Sequence, residues 1–116
     1  MTRFVVLTAT AFMLLASAAI AQGGDAAQGK ATYQKHCASC HGKTGKGDGP
    51  AAGVLNPKPR DHTDGAYMKT LSDKYLADII SKGGAALGKS AMMPPGKTLS
   101  KQDIANLIAY IRSLGK

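Results

Sequence analysis

The pentapeptide CASCH, residues 37–41, constrains this chain most, because it holds the only two cysteines among 116 residues. Two cysteines at this spacing can form a disulfide or a redox pair, contribute ligands to a zinc site, or anchor a haem covalently. Each use requires different surroundings, so the rest of the sequence discriminates between them.

Three of these uses find little support in the sequence. A disulfide between Cys37 and Cys40 would close a very short loop and restrict the unfolded chain little. A thioredoxin-like redox pair lies beside a βαβ pattern, and no strand-like run follows residue 22. A zinc site needs four ligands, but there is no second CxxC and only His36 and His62 lie outside the pentapeptide. The remaining interpretation is the CxxCH attachment site of one c-type haem, with His41 against the iron.

The N-terminal residues have the layout of a secretory signal peptide. One Arg precedes an apolar run over residues 4–20, and a small-x-small triplet ends that region at Ala21. Thr, Ser and Ala dilute the run below the ~20 strongly apolar residues that span a bilayer. We therefore predict a cleaved signal peptide over residues 1–21 and one exported, soluble domain over residues 22–116. Periplasmic export independently favours the haem interpretation, because this attachment takes place outside the cytoplasm.

An iron held by His41 needs a ligand on its other face, and the segment KSAMMPPGKTLS, residues 89–100, offers two methionines. Its two prolines restrict the backbone, and a rigid loop can hold a thioether at the iron. Met93, directly before the prolines, is the first choice for the distal ligand, and Met92 is the second. His62 or an open site remain alternatives.

Three segments have helical periodicity with capping residues. Asp25 can cap a first helix whose apolar face includes both cysteines, Ser72 a second helix, and Ser100 with Asp103 a third. The third has an apolar face of Ile104, Leu107, Ile108, Ile111 and Leu114. Met68, in contrast to the paired methionines, is expected to be core filler. These segments predict an all-α fold.

The chain resembles the small monohaem class I c-type cytochromes in GKATYQKHCASCHG, GDGPAA, LNPKPRD, MMPP and LSKQDIANLIAYIRSL, which together cover nearly all of residues 22–116. The resemblance implies a cytochrome c fold of three to four short helices around one covalently bound haem c. It implies that Cys37 and Cys40 form the thioethers, that His41 is the proximal ligand, and that Met93 is the distal ligand.

The same resemblance implies further contacts. Gly29 is expected to lie where the first and last helices cross, against Tyr110 and beside Tyr33. The chain departs from the family pattern at two places. Gly96-Lys97 stands where an aromatic residue is frequent after Met-Pro-Pro, and His62 stands where a phenylalanine frequently follows Pro-Arg-Asp.

A ligating histidine normally donates its second ring N–H to a carbonyl. The resemblance points to a proline carbonyl within NPKPR, with Pro57 as the first choice and Pro59 as the second. Lys58, Arg60 and Tyr67 are candidates to reach a haem propionate, with solvated loop side chains as the alternative.

With both axial positions filled, no substrate binds at the iron, so we expect an electron-transfer protein and not an enzyme. The first hypothesis is a periplasmic one-electron carrier that shuttles electrons between redox partners. The alternative is a haem c subunit that passes electrons within a larger periplasmic oxidoreductase complex. A peroxidase or gas sensor would require an open distal site, which MMPP does not favour.

The formal net charge of +8 falls to +7 when Arg3 is removed with the signal peptide, and the remaining basic residues are scattered from Lys30 to Lys116 and not clustered. Such scattered charge predicts electrostatic steering toward acidic redox partners in transient complexes, with the protein itself a monomer, and does not favour nucleic acid. Four lysines flank the haem motif and the methionine loop and are expected to surround the exposed haem edge: Lys43, Lys46, Lys89 and Lys97.

Overall fold

The computed structural model describes residues 23–116, and all regular structure in this range is helical. The five helices are α1 (Ala26–His36), α2 (Ala38–His41), α3 (Gly65–Met68), α4 (Asp73–Lys82) and α5 (Lys101–Leu114), with 3-10 turns at Ala52–Val54 and Ala85–Leu87. The predicted all-α fold is confirmed, although α2 and α3 raise the helix count above the expected three to four. The predicted signal peptide lies outside the described residues.

The predicted capping residues begin the three longer helices. The Asp25 carboxylate accepts backbone N–H groups at the start of α1, and the Ser72 hydroxyl accepts the Tyr75 N–H of α4 at 3.0 Å. Ser100 and Asp103 form a reciprocal capping box at the start of α5. Each cap satisfies donors that the first helical turn leaves free, so local sequence fixes where these helices begin.

Helices α1 and α5 cross at Gly29, as the resemblance implied. A Cβ atom at this position would overlap the backbone carbonyl of Asn106 and would lie 3.0 Å from the Cβ of Tyr110. The Tyr33 ring packs edge-on against the Tyr110 ring, with centroids 5.1 Å apart. The missing side chain of Gly29 therefore permits backbone contact between the first and last helices.

A buried polar side chain locks this crossing. Asn106 on α5 accepts the backbone N–H of Asp25 through its Oδ1 atom at 2.8 Å. It is buried and also contacts the side chains of Gln28 and Gln102. Because buried amides need hydrogen-bond partners, these contacts fix the register of α5 against the start of α1.

The core is centred on Tyr33 and Leu107, both 0% exposed. Further buried apolar side chains are Met68, Leu76, Ile80, Tyr110 and Ile111. The core position predicted for Met68 is confirmed. None of the helices in residues 23–116 combines the length and hydropathy that a bilayer crossing requires.

Arg112 connects α5 to the segment between α3 and α4. Its guanidinium donates to the carbonyl of Met68 at 2.7 Å and to the carboxylate of Asp73 at 2.9 Å, and it also contacts the carbonyl of Leu71. These bonds hold the start of α4 against α5, so that α4 can form one wall of the cavity described next.

Candidate haem site

A cavity of about 700 Å³ lies between the CASCH segment, α4 and the methionine loop. Its apolar lining includes Leu55, Met68, Leu71, Leu76, Ile79, Ile80, Leu99 and Ile111. The volume is within the ~300–1,000 Å³ typical of cofactor sites, and an apolar wall suits a large flat ring.

Both thiols line this cavity, Cys37 at the junction of α1 and α2 and Cys40 within α2. Cys37 ends α1 and begins α2, and the backbone N–H of His41 donates to its carbonyl at 2.9 Å. Cys37 and Cys40 are free and half-buried. Burial first, and then the neighbouring Cys40, raises the pKa of the Cys37 thiol to about 11. A reactive redox pair needs a lowered thiol pKa, so this environment disfavours that alternative.

The orientation of His41 is fixed by the loop that follows the haem motif. Its Nδ1 lies 3.0 Å from the carbonyl oxygen of Arg60. A carbonyl can only accept, so Nδ1 carries the proton and Nε2 keeps the lone pair that can bind iron. Burial lowers the pKa of His41, which favours the neutral ring needed for a ligand, while the hydrogen bond acts in the opposite direction.

The carbonyl partner of His41 differs from the two proline carbonyls that we expected. The carbonyl of Pro59 faces Gly47, where an added Cβ would overlap it, and Arg60 supplies the acceptor. Gly47 in turn donates its N–H to the His41 carbonyl at 2.8 Å. The path of the loop past Gly47 thus selects Arg60 over Pro57 and Pro59.

His62 is buried against the ring of His41. It is 8% exposed, and its ring stacks on the His41 ring with centroids 4.3 Å apart and planes 16° from parallel. Its Nδ1 lies 2.9 Å from the hydroxyl of Tyr33. Burial lowers the pKa of His62 to about 3. A ring stacked on the proximal candidate is badly placed to serve as the ligand on the other face, so the distal alternative for His62 is not supported.

Both candidate methionines line the cavity, but they differ in burial. Met93 is half-buried, whereas Met92 is 64% exposed. The loop that carries them is hydrogen-bonded to the end of α4. Gly84 donates to the Met93 carbonyl at 2.9 Å, and Gly96 donates to the Ile80 carbonyl at 2.8 Å. Burial favours Met93, and the distal ligand stays a prediction.

The charged residues around the cavity differ in part from those we expected. Lys89 and Lys97 line the cavity and are exposed, whereas Lys43 and Lys46 do not line it. The cavity is also lined by the three candidates to reach a haem propionate, Lys58, Arg60 and Tyr67. The Arg60 guanidinium lies 3.8 Å from the centre of the Tyr67 ring, a cation–π contact that holds this part of the wall.

Sequence reasoning missed two contacts of His41, the Arg60 carbonyl and the His62 ring. The sequence carried only one indirect signal for them. A histidine in place of a frequent phenylalanine, two residues after Arg60, marks His62 as unusual without showing what it contacts.

Comparisons with known proteins agree with this site. The family model for cytochrome c matches residues 26–115. Cytochrome c-554(547) of Halothiobacillus neapolitanus is 39% identical over 94 residues, covering 78% of this chain and 98% of that protein. The cbb3-type cytochrome c oxidase subunit FixP of Azorhizobium caulinodans is 34% identical over 88 residues, covering 76% of this chain but only 29% of the subunit.

A solved structure shares the fold. One chain of the Kuenenia stuttgartiensis reducing HAO-like protein complex matches with a TM-score of 0.63 and 27% identity, covering 76% of this chain and 41% of that one. The thiols, the histidine with a free Nε2 and the apolar cavity fit the cofactor of the matched family. The chain therefore belongs to the cytochrome c family and carries one covalently bound haem c.

Proposed function

We propose that this protein is a periplasmic one-electron carrier with His41 and Met93 as axial ligands and Cys37 and Cys40 as the points of attachment. The observation that carries this proposal is that all four side chains line one apolar cavity. The Arg60 carbonyl supports it further, because it leaves the Nε2 of His41 as the ligating atom.

Each thiol would be joined to the porphyrin by addition to a vinyl group. Each S–H would add across the vinyl double bond, with sulfur on one carbon and hydrogen on the other, so that no oxidant or reductant would be consumed. The turn from Cys37 to His41 keeps both thiols and the ligating ring within one short segment. Attachment and proximal ligation are thereby coupled.

The residues around the iron would keep it closed to substrates. The haem supplies the one-electron change between its ferric and ferrous forms. His41 and Met93 would hold the iron, and the apolar side chains of α4 that line the cavity would exclude water. A thioether ligand favours a higher reduction potential. Filled axial positions support electron transfer without chemical conversion of a substrate.

Positive charge at the cavity mouth supports transient docking to acidic redox proteins. Lys58, Lys89 and Lys97 line the cavity and are exposed. Such charges raise encounter rates more than they stabilise the complex, which suits a monomeric shuttle. The 98% coverage of cytochrome c-554(547) supports a protein of this size acting as a separate unit.

A second candidate is a haem c subunit within a larger periplasmic oxidoreductase. Two matched proteins favour it by their names, a subunit of a cytochrome c oxidase and a chain of an HAO-like complex. In both, this chain matches less than half of the longer protein. A subunit would stay bound to its catalytic partner at moderate salt, whereas a shuttle would dissociate.

Substitution of the proposed ligands tests the site directly. In Met93→Ala we expect loss of the near-infrared sulfur-to-iron charge-transfer band, a lower reduction potential and binding of added ligands. Met92→Ala is the matched control and should change these little. Reversed results would reassign the ligand to Met92. Replacement of both Cys37 and Cys40 by Ala should abolish covalent haem in denaturing gels, and its retention would contradict the proposal.

Ionic strength distinguishes the shuttle from the subunit. The bimolecular electron-transfer rate with an acidic partner should fall steeply toward ~0.2 M salt, where the Debye length is below 10 Å. Charge reversal at Lys89 or Lys97 should lower the rate at low salt, with Lys43→Glu, away from the cavity, as the matched control. A flat profile together with a stable complex would favour the subunit.

A further inference from the structure

The segment from Arg60 to His62 contacts the His41 ring in two different ways. The Arg60 carbonyl accepts the Nδ1–H of His41 at 3.0 Å, which fixes one edge of the ring. The His62 ring covers a face of the same imidazole at 4.3 Å. A hydrogen bond alone leaves the ring free to tilt about it, and stacking removes part of that freedom.

His62 is itself held from three directions. Its backbone N–H donates to the Gly45 carbonyl at 2.7 Å, and its Nδ1 lies 2.9 Å from the Tyr33 hydroxyl. Asp61, its neighbour in the chain, accepts both the backbone N–H and the hydroxyl of Thr63. The stacked ring is therefore part of a rigid turn.

Tyr33 anchors the stack to the core of the protein. It is 0% exposed, packs edge-on against both His62 and Tyr110, and belongs to the helix that leads into the haem motif. Gly45, with φ of 80°, packs beside the pair: a Cβ there would lie 2.7 Å from the Leu114 Cδ1, 3.3 Å from the Tyr33 hydroxyl and 3.4 Å from the His62 Cβ.

We infer that Tyr33 and His62 form a positioning pair for His41, in which the stacked His62 ring, held by the Tyr33 hydroxyl, sets the plane of the His41 imidazole. The inference rests on the proposed role of His41 as proximal ligand. A buried phenylalanine could also stack, but it offers no atom to the Tyr33 hydroxyl. His62 therefore links the orientation of the His41 ring to the core between α1 and α5.

The test uses the haem-loaded protein and a readout that follows ring orientation. The plane of an axial imidazole sets the order and spread of the haem-methyl resonances in the ferric NMR spectrum. In His62→Ala we expect this pattern to change and the reduction potential to shift, while the low-spin spectrum and the sulfur-to-iron band remain.

Three further variants distinguish the effect of the stacked ring from that of the Tyr33 hydroxyl. His62→Phe keeps a ring over His41 but loses the contact with the Tyr33 hydroxyl. We expect its methyl pattern to lie between those of the parent and His62→Ala, at a cost in stability because the buried hydroxyl loses its partner. Tyr33→Phe removes the anchor and should change the pattern less than His62→Ala. The double variant Tyr33→Phe with His62→Phe should regain stability, because no buried hydroxyl is left without a partner, but it should not regain the parent pattern.

Ile108→Ala controls for general destabilisation, because Ile108 packs on the core from α5 and does not line the cavity. It should lose stability without changing the methyl pattern. An unchanged pattern and potential in His62→Ala would overturn the inference while leaving the proposed function intact. If the parent protein itself lacks a low-spin spectrum with the sulfur-to-iron band, the proposed ligation fails instead. Should His62→Ala fail to fold, His62→Phe and Tyr33→Phe still decide the question.

Discussion

The two sides of Tyr33 are built in different ways. On one side, α1 and α5 contact each other through backbone at Gly29, with Tyr33 and Leu107 fully buried. On the other side, Tyr75 and Ile79 of α4 are only half-buried and border the 700 Å³ cavity. The helix crossing is thus completed by protein atoms alone, whereas the cavity side depends on the haem for much of its packing.

The largest expected effect follows from removing the haem. The unloaded protein is obtained by extracting the haem from the variant in which Cys37 and Cys40 are replaced by Ala. In it, α4 and residues 89–99 should lose amide-exchange protection far more than α1 and α5. The reason is that their apolar side chains would then face a solvent-filled cavity. Hydrogen exchange on the loaded and unloaded forms measures this difference. Equal loss of protection in both regions would show that the helix crossing also requires the cofactor.

Truncation of one side chain in each region sharpens the comparison. Leu107→Ala at the crossing should cost about 2–5 kcal/mol of unfolding free energy, because a fully buried side chain leaves a cavity. Ile79→Ala should cost less in the loaded protein, because the Ile79 side chain is only half-buried, and should loosen the packing of α4 against the haem. Denaturant titrations followed by far-UV circular dichroism and by haem absorbance test both variants. A larger loss for Ile79 would reverse the ranking of the two regions.

The glycine at the crossing gives the next smaller effect. Gly29→Ala places a methyl group against the Asn106 carbonyl and should cost about 1–3 kcal/mol, as overpacking does. Gly53→Ala is the matched control, because a Cβ atom there has no neighbour within 4 Å. Thermal unfolding compares the two. If both variants are as stable as the parent, the backbone contact between α1 and α5 does not limit stability.

The smallest effect is expected at the surface of α4. Asp78 accepts from Lys74 at 2.7 Å and lies near Lys82, and the Lys74 hydrogen bond, before the other contributions, lowers the Asp78 pKa. Because its pKa is lower in the folded state, ionised Asp78 stabilises the fold at pH values above the unfolded pKa of 3.8. This stabilisation is lost as the pH falls through the folded pKa.

Asp78→Asn should therefore be slightly less stable than the parent at pH 7, and the difference should vanish in more acid solution. Urea titrations at pH 7 and below pH 3 measure it, at low salt because exposed pairs are screened. A difference that persists in acid would mean that packing, and not the charge, is responsible.

Several features of this protein were predictable from the sequence because they depend on neighbouring residues. The caps at Asp25, Ser72 and Ser100 satisfy backbone groups within the next three residues, so they act wherever the helix lies. The CxxCH spacing predicts haem attachment without reference to the rest of the fold. Gly29 predicted a close helix contact because a glycine within a helix otherwise costs stability.

The sequence by itself thus determined the three longer helices and the cofactor, while tertiary structure alone decided what surrounds His41. The Arg60 carbonyl and the His62 ring lie 19 and 21 positions from it along the chain, and loop geometry, not local spacing, brings them there. Glycines with positive φ at 45 and 47 set that path. The same loop places Lys58, a predicted propionate candidate, in the cavity lining and leaves Lys43 and Lys46 outside it. Local hydrogen bonds are fixed by neighbours in sequence, but a contact across a loop depends on every turn between its ends.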